Sequence, residues 1–240
     1  MRRLDTITGG ADRLRIGSWR GDPTAALVSP TPGGAPSPAA LLAVVDELRR
    51  RGYRTALTPA LTANEQPPFT DSGFTVHERL HLLRHDLRRV PEPSVAGAHL
   101  RRGRRRDLPT VLDVDASAFD RFWRFDADSL ADARTATPHS RFRVATVDGT
   151  VVGYHVTGRA GTLGYLQRLA VHPVWHGHGI GTALVGDSLD WCRHHGCRSV
   201  LVNTQEVNQR ALSLYEHLGF RPEPSGLAVL ELRLDDGPSE

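Results

Sequence analysis

The chain has 240 residues, 39% of them hydrophobic and 24% charged, with a net charge of +3. That balance excludes a disordered or fibrous chain and leaves room for a real core. No window approaches the roughly 18 apolar residues of a membrane span, the basic N-terminus lacks the apolar run of a signal peptide, and two cysteines, Cys192 and Cys197, are too few for a disulfide framework, so a cytoplasmic protein is expected.

Two composition breaks come first along the chain. Residues 29–38 read SPTPGGAPSP and cannot form the interior of a helix or strand. Residues 90–97, VPEPSVAG, have the composition of an interdomain linker. The expected organisation is a small unit over residues 1–90, a linker over 91–97 and a larger domain over 98–236.

Within that domain a strand is predicted over 98–105. Helices follow over 110–125, where Leu112, Ala116 and Phe119 recur at helical spacing, and over 127–136. Two β-branched runs, 141–147 and 150–157, flank Asp148-Gly149 and read as a hairpin. A strand over 163–171 leads to a helix over 181–195 that Gly196 stops. A buried strand over 199–203, a helix over 208–218 ended by Gly219 and an alternating strand over 227–234 complete the order βααβββαβαβ. This is a mixed α/β fold in which a hairpin sheet joins an αβ crossover.

The first ninety residues partly repeat that pattern. Shifted by 144, Ala39–Leu57 overlies Ala183–Leu201 and Asn64 overlies Asn208; with two residues deleted, Gly73-Phe74 overlies Gly219-Phe220. Landmarks in one register indicate a degenerate copy of half a domain.

The segment that carries the chemistry is LQRLAVHPVWHGHGIGTAL, residues 166–184. A strand runs into a loop with glycines at 177, 179 and 181, and a helix follows. Such glycines let the backbone turn sharply and approach a ligand. The loop amides and the free N–H groups of the first helical turn then converge as an anion site suited to a pyrophosphate. A dinucleotide fold would show the same loop, but the antiparallel strands ahead of it argue against that reading.

With NQRALSLYEHLGF at 208–220, this segment resembles the GNAT superfamily of acyl-CoA N-acyltransferases, over about residues 98–235. The resemblance implies a GNAT-like fold and acetyl-CoA as cosubstrate. It implies that the strand Leu169, Ala170 and Val171 bonds the pantetheine arm, that Gly177, His178, Gly179, Ile180, Gly181 and Thr182 hold the pyrophosphate, and that Asn208 touches pantetheine. Tyr215 would protonate the departing CoA thiolate, a role an O–H donor beside developing charge can fill. His176, counted with these cofactor-binding residues, stands where the family pattern has Gln or Arg.

The general base is less plain. Many relatives place a glutamate at one of two positions, which here are Tyr165 and Asn203, and neither is a useful base near neutrality. Glu206, His155, Asp126, Asp128 or ordered water remain candidates. An α-amino group, with a pKa near 7.7–8.0, needs little help, which favours a protein N-terminus or small amine over lysine. Phe122 and Trp123 lie where the family places its acceptor-binding helices. A non-catalytic acyl-CoA-binding or protein-interaction module on the same fold is the alternative, favoured by the missing carboxylates and opposed by Tyr215 and Asn208.

Other features weigh less. The run Arg101-Arg102-Gly103-Arg104-Arg105-Arg106 has no interleaved aromatic platform, so a solvated face is expected rather than a nucleic-acid site. Histidines 172, 176, 178, 194 and 195 with the two cysteines fit no zinc spacing, and no metal is expected. In the N-terminal copy Pro36 and Pro38 remove loop N–H groups and Asp71 falls at the Tyr215 position, so that half should not bind CoA; it is expected to pack on the larger domain or close one side of the acceptor site. The family's frequent dimers leave a homodimer open.

Overall fold

The computed structural model describes residues 5–9, 12–30, 35–92 and 97–235. Most of the predicted linker (93–96), part of the turn-rich segment (31–34) and residue 236 lie outside these. The described residues form two compact units, neither a single stretch: one lies within Leu83–Val202 and Asn208–Glu223, the other within residues 5–82, Asn203–Val207 and residues 224–235. Among the described residues no helix is long and apolar enough to cross a membrane.

The N-terminal unit opens with antiparallel strands β1 (Asp5–Gly9), β2 (Asp12–Trp19) and β3 (Asp22–Pro30). Helix α1 (Pro38–Arg50) begins where Ser37 Oγ accepts the Ala40 N–H at 3.3 Å, with Pro38 in the first turn. Its stripe of Ala40, Leu41, Val44, Val45 and Leu48 buries against Leu14, Ile16, Ala26 and Val28. Strand β4 (Thr55–Leu57) returns parallel to β3, and β5 (Leu61–Thr62), the one-turn helix α2 (Pro67–Thr70) and β6 (Thr75–His85) follow.

The larger unit holds β7 (His99–Arg102), α3 (Leu108–Ala118), α4 (Ala127–Thr135), β8 (His139–Val147), β9 (Thr150–Ala160), β10 (Leu163–Val171), α5 (Ile180–His194), the start of β11 (Ser199–Gln205), α6 (Gln209–His217) and β12 (Arg221–Pro222). Strands β7 to β10 are antiparallel neighbours, and β11 lies parallel to β10. At the β8–β9 hairpin Asp148 and Gly149 have φ of 48° and 80°, as a two-residue turn of this hand requires. Helices α3 and α4 cover one sheet face through Val111, Val114 and Leu130 against Val144, Tyr154 and Val156. Helix α5 covers the other, with Ile180 and Leu184 on Ala145 and Val152. The last strand, β13 (Leu227–Arg233), joins the N-terminal unit, where it pairs antiparallel with β4, β5 and β6.

Two elements are shorter than their patterns suggest, for a shared reason. Helix α3 ends at Ala118, and Phe119 is extended (φ −125°, ψ 150°), because the Asp115 carboxylate draws the chain round to accept the Phe125 N–H at 2.7 Å. Strand β7 stops at Arg102 because Asp107 reaches back to accept the Arg104 N–H at 2.7 Å and both terminal nitrogens of Arg101 at 2.7 and 2.8 Å.

The internal repeat is visible in the backbone. Arg54 N–H bonds Thr24 O at 2.8 Å, as Arg198 N–H bonds Thr162 O at 2.7 Å. Tyr53 N–H closes α1 onto Leu48 O, as Cys197 N–H closes α5 onto Cys192 O, at 3.1 and 3.0 Å. The left-handed glycines Gly52 and Gly196 (φ 81° and 75°) make both closures possible.

The Arg101 hydrogen bond holds the Asp107 carboxyl down at about 2, below the ordinary 3.8. A depressed folded-state pKa means stability that is present above the unfolded value and lost as pH falls from 3.8 towards about 2. Asp107→Asn should therefore cost about 1–2 kcal/mol at pH 7 in urea denaturation, with the deficit vanishing near pH 2.

Candidate active site

The site begins with a parting of two strands. Strands β10 and β11 pair only at Leu163↔Ser199, Gly164↔Val200 and Tyr165↔Leu201, although both run further. Just beyond, the β9–β10 register shifts between Leu166 and Arg168, a bulge at Gln167. The bulge changes which residues face which layer: Leu166 packs with the α5 side, whereas Ala170 packs with α3 and Arg168 bonds Asp115 on it. His172 N–H still bonds Val152 O on β9 at 2.9 Å. By alternation the backbone of Ala170 also faces β9, while the N–H groups of Leu169 and Val171 point into the gap.

At the end of that gap sits the glycine loop. Pro173–Trp175 forms a single 3₁₀ turn, and Gly177 and Gly179 have φ of 80° and 76°. The loop histidines are latches: His176 Nε2 donates to Val171 O, and His178 Nδ1 to His176 O, both at 2.9 Å. His176 thus has a structural role where the family pattern has Gln or Arg. Gly179 is the N-cap of α5, and the first backbone bond of the helix runs from Ala183 N–H to Gly179 O at 3.0 Å. The N–H groups of Ile180, Gly181 and Thr182 precede it and face out of the helix end, as an anion site needs. A Cβ on Gly181 would sit 3.2 Å from Leu214 and 4.0 Å from Val171, so the loop, the open strand and α6 meet here.

Tyr215, next to Leu214, is buried, and its ring packs 5.5 Å from Phe220. Burial pushes its pKa up, and only the Arg168 charge pulls the other way, so the hydroxyl keeps its proton near neutrality. Asn208 caps α6, its Oδ1 accepting the Ala211 N–H at 3.1 Å. The N-terminal copy supplies a comparison. Phe220 N–H bonds Tyr215 O and Phe74 N–H bonds Phe69 O, both at 3.0 Å, after glycines with φ of 93° and 90°. The residue equivalent to Tyr215 is therefore Phe69 and not Asp71, because the two-residue deletion falls before it. Where the larger unit has glycines, α1 starts on a Ser37 cap and Pro38.

The candidate bases separate. His155 is fully buried on the α5 face: Nε2 lies 3.0 Å from Asp187 and Nδ1 2.9 Å from Thr157, whose hydroxyl is 2.6 Å from Ser188. Burial would raise the Asp187 carboxyl, but Arg141 (2.7 and 2.9 Å) and His155 hold it low. This sealed cluster supports α5 on the sheet and offers no accessible base. Asp126 caps α4 through the Ser129 N–H at 2.7 Å. Asp128, Asn203 and Glu206 are exposed, and Tyr165 is half-buried.

The sequence reading missed Arg168. Its Nε and Nη2 bond the fully buried Asp115 at 2.7 and 2.8 Å, Nη2 also bonds Trp123 O at 2.7 Å, and Tyr154 OH bonds the same carboxylate at 2.5 Å. Phe119 and Phe125 sandwich the guanidinium at 3.5 and 3.9 Å. Phe122 packs edge-on against Trp123 at 5.2 Å. Of the arginine run, Arg101 is bound to Asp107, whereas Arg102 and residues 104–106 are exposed. Cys192 and Cys197 are free and buried, and among the described residues no cluster of His, Cys, Asp or Glu could hold a metal ion.

Residues 108–220 match the family model described as the acetyltransferase (GNAT) family. N-alpha-acetyltransferase 30 of Schizosaccharomyces pombe is 37% identical over 73 residues, 30% of this chain and 49% of that protein, so the chain spans about half the length of this curated relative. A tandem GNAT protein from the clavulanic acid biosynthesis pathway has a TM-score of 0.70 at 18% identity, covering 100% of this chain and 85% of its own. A putative acetyltransferase from the GNAT family from Novosphingobium aromaticivorans has a TM-score of 0.63 at 19% identity, covering 95% and 91%. At such identities the likeness concerns the fold. The resemblance read from the two motifs is borne out: residues 108–220 match the GNAT family model, and a tandem GNAT structure spans the whole chain, in keeping with a partial copy at the N-terminus.

Burial lowers the His155 pKa, so the folded state keeps it neutral while the unfolded chain binds a proton below about 6.5. That contribution is present above this pH and lost as pH falls through it. His155→Gln should flatten the decline in unfolding free energy between pH 7 and 5; an unchanged slope would contradict a neutral buried imidazole.

Proposed function

From the GNAT domain over residues 108–220, we propose that the chain is an N-acetyltransferase that moves an acetyl group from acetyl-CoA directly to a primary amine. The observation that carries this reading is the meeting of three parts at Gly181: the open strand ending at Val171, the glycine loop, and α6 with Tyr215. The amides from Gly177 to Thr182 hold the pyrophosphate, and the Leu169 and Val171 backbone takes the pantetheine arm, with Asn208 beside it. The amine attacks the thioester carbonyl, a backbone N–H of the Leu169–Val171 strand stabilises the oxyanion, the C–S bond breaks, Tyr215 gives its proton to the thiolate, and the proton that the amine nitrogen sheds passes to water.

The acceptor follows from what is missing. Tyr165 and Asn203 stand at the family's base positions, and His155 is sealed beneath α5. An amine already partly neutral near pH 7.7–8.0, a protein N-terminus or small amine, suits such a site better than lysine. The missing carboxylates also suit a non-catalytic acyl-CoA-binding module, which binds acetyl-CoA without turnover on any amine.

Tyr215→Phe keeps the ring against Phe220 and repeats what Phe69 does in the N-terminal copy. It should lower kcat about 100-fold or more while acetyl-CoA affinity stays near wild type. Steady-state kinetics with a calorimetric Kd checks this; an undiminished kcat would remove Tyr215 from the proton transfer.

A further inference from the structure

A buried imidazole that the transfer does not use stands two rings away from Tyr215. His85, the last residue of β6 and part of the larger unit, is 2% exposed. Its ring lies 5.1 Å from that of Phe220, which lies 5.5 Å from that of Tyr215. Phe220 N–H also closes α6 onto Tyr215 O at 3.0 Å, so what fixes Phe220 fixes the turn of α6 that carries Tyr215. His85 Nδ1 accepts the Leu87 N–H at 2.9 Å, which leaves the ring proton on Nε2. That bond holds Leu87 at φ 60°, a left-handed conformation leucine rarely adopts. The Leu87 side chain is thereby placed in the buried cluster that holds Tyr215, Leu218 and Phe220. His85 thus clasps the chain after β6 onto the end of α6.

The N-terminal unit supplies a control for the imidazole. Gly73-Phe74 follow α2 as Gly219-Phe220 follow α6. A Cβ on Gly219 would lie 3.3 Å from His85 Nε2, whereas one on Gly73 would lie 3.6 Å from a methyl of Leu232. A leucine therefore suffices where the helix carries Phe69, and an imidazole stands where the helix carries a hydroxyl.

We infer that His85 is a positioning residue for Tyr215: as a neutral imidazole it accepts the Leu87 N–H, and through Phe220 it sets where the Tyr215 hydroxyl stands. This rests on the acetyltransferase reading and adds a residue that acts through another. Proton donation needs the O–H within hydrogen-bond reach of the departing sulphur, so a small shift of α6 costs rate before it costs cofactor binding. A protonated ring carries a proton on Nδ1 and cannot accept from Leu87. Burial lowers the His85 pKa from 6.5, opposed by the Asp86 charge and the backbone of Leu218 and Arg89. Of the other charged groups nearby, Arg88 and Arg221 act on Asp86, and Glu216 and His217 of α6 are exposed. The clasp is therefore intact above 6.5 and is lost as pH falls below it.

Two substitutions in the full chain separate the acceptor from the bulk. His85→Leu keeps apolar bulk beside Phe220, as Leu232 does beside Gly73, but cannot accept from Leu87. His85→Asn keeps an acceptor near the Nδ1 position and does not titrate. With acetyl-CoA and a short peptide bearing a free N-terminus, His85→Leu should lower kcat about 10–100-fold at about pH 8, with the acetyl-CoA Kd and the peptide KM within about twofold of wild type. His85→Asn should restore most of that loss. The ratio of wild-type to His85→Asn kcat cancels the protonation of the acceptor amine; it should be level above about pH 7 and fall as pH drops towards about 5. Should His85→Leu not fold, this ratio decides. His85→Leu that folds with wild-type kcat, His85→Asn as the slower of the two, or a ratio independent of pH would overturn the positioning role and leave the acetyltransferase intact. Wild type that binds acetyl-CoA but acetylates neither the peptide nor a small amine would overturn both.

Discussion

Everything in the larger unit depends on β10 and β11 separating after three paired residues. In a sheet that stayed closed, the N–H groups of Leu169 and Val171 would be satisfied by the neighbouring strand, and nothing would be left for a ligand. The bulge at Gln167 accompanies the separation: it adds twist, and it turns Arg168 to the α3 face just before the gap opens. The edge of β10 that faces the gap is held in place because β9 still bonds the other side of the strand. The glycine loop continues from that edge into the first turn of α5.

The N-terminal unit repeats much of this backbone without the glycine loop. It retains the crossover helix, the parallel strand, the left-handed glycines that end α1 and α2, and even the Arg54–Thr24 backbone bond. What differs is polar and local: a serine cap and prolines replace the glycine loop, and Phe69 replaces Tyr215. The two units share the packing determinants and differ at these polar positions. That contrast gives Tyr215 and the Gly177–Gly181 loop a meaning that their positions in the sequence alone do not.

Local signals were legible and long-range ones were not. The Asp148-Gly149 hairpin, the start of α5 after a glycine loop and the helix that follows Asn208 are written in short spans, because turns and periodicity are local physics. Helix α3 was read too long, since Leu112, Ala116 and Phe119 keep helical spacing while Asp115, bound to Arg168 on β10, bends the chain away. The Arg168 cage joins residues separated by 53 positions, and nothing between them announces the pair. Likewise the alternation of Leu227–Arg233 specifies a strand but not its neighbours, which prove to be β4, β5 and β6. His155 is a candidate base when read on its hairpin alone, because nothing in the local sequence shows that α5 brings Asp187 over it.

The central claim is that the parted strand and the glycine loop form an acetyl-CoA site. Calorimetric titration of the purified chain with acetyl-CoA, beside a Gly179→Pro/Gly181→Pro double variant that still folds, tests it most directly. The account predicts micromolar binding by wild type and none by the variant, whose prolines remove a loop amide and a first-turn amide. Well-folded wild type that fails to bind, or a variant that binds as tightly, would contradict it.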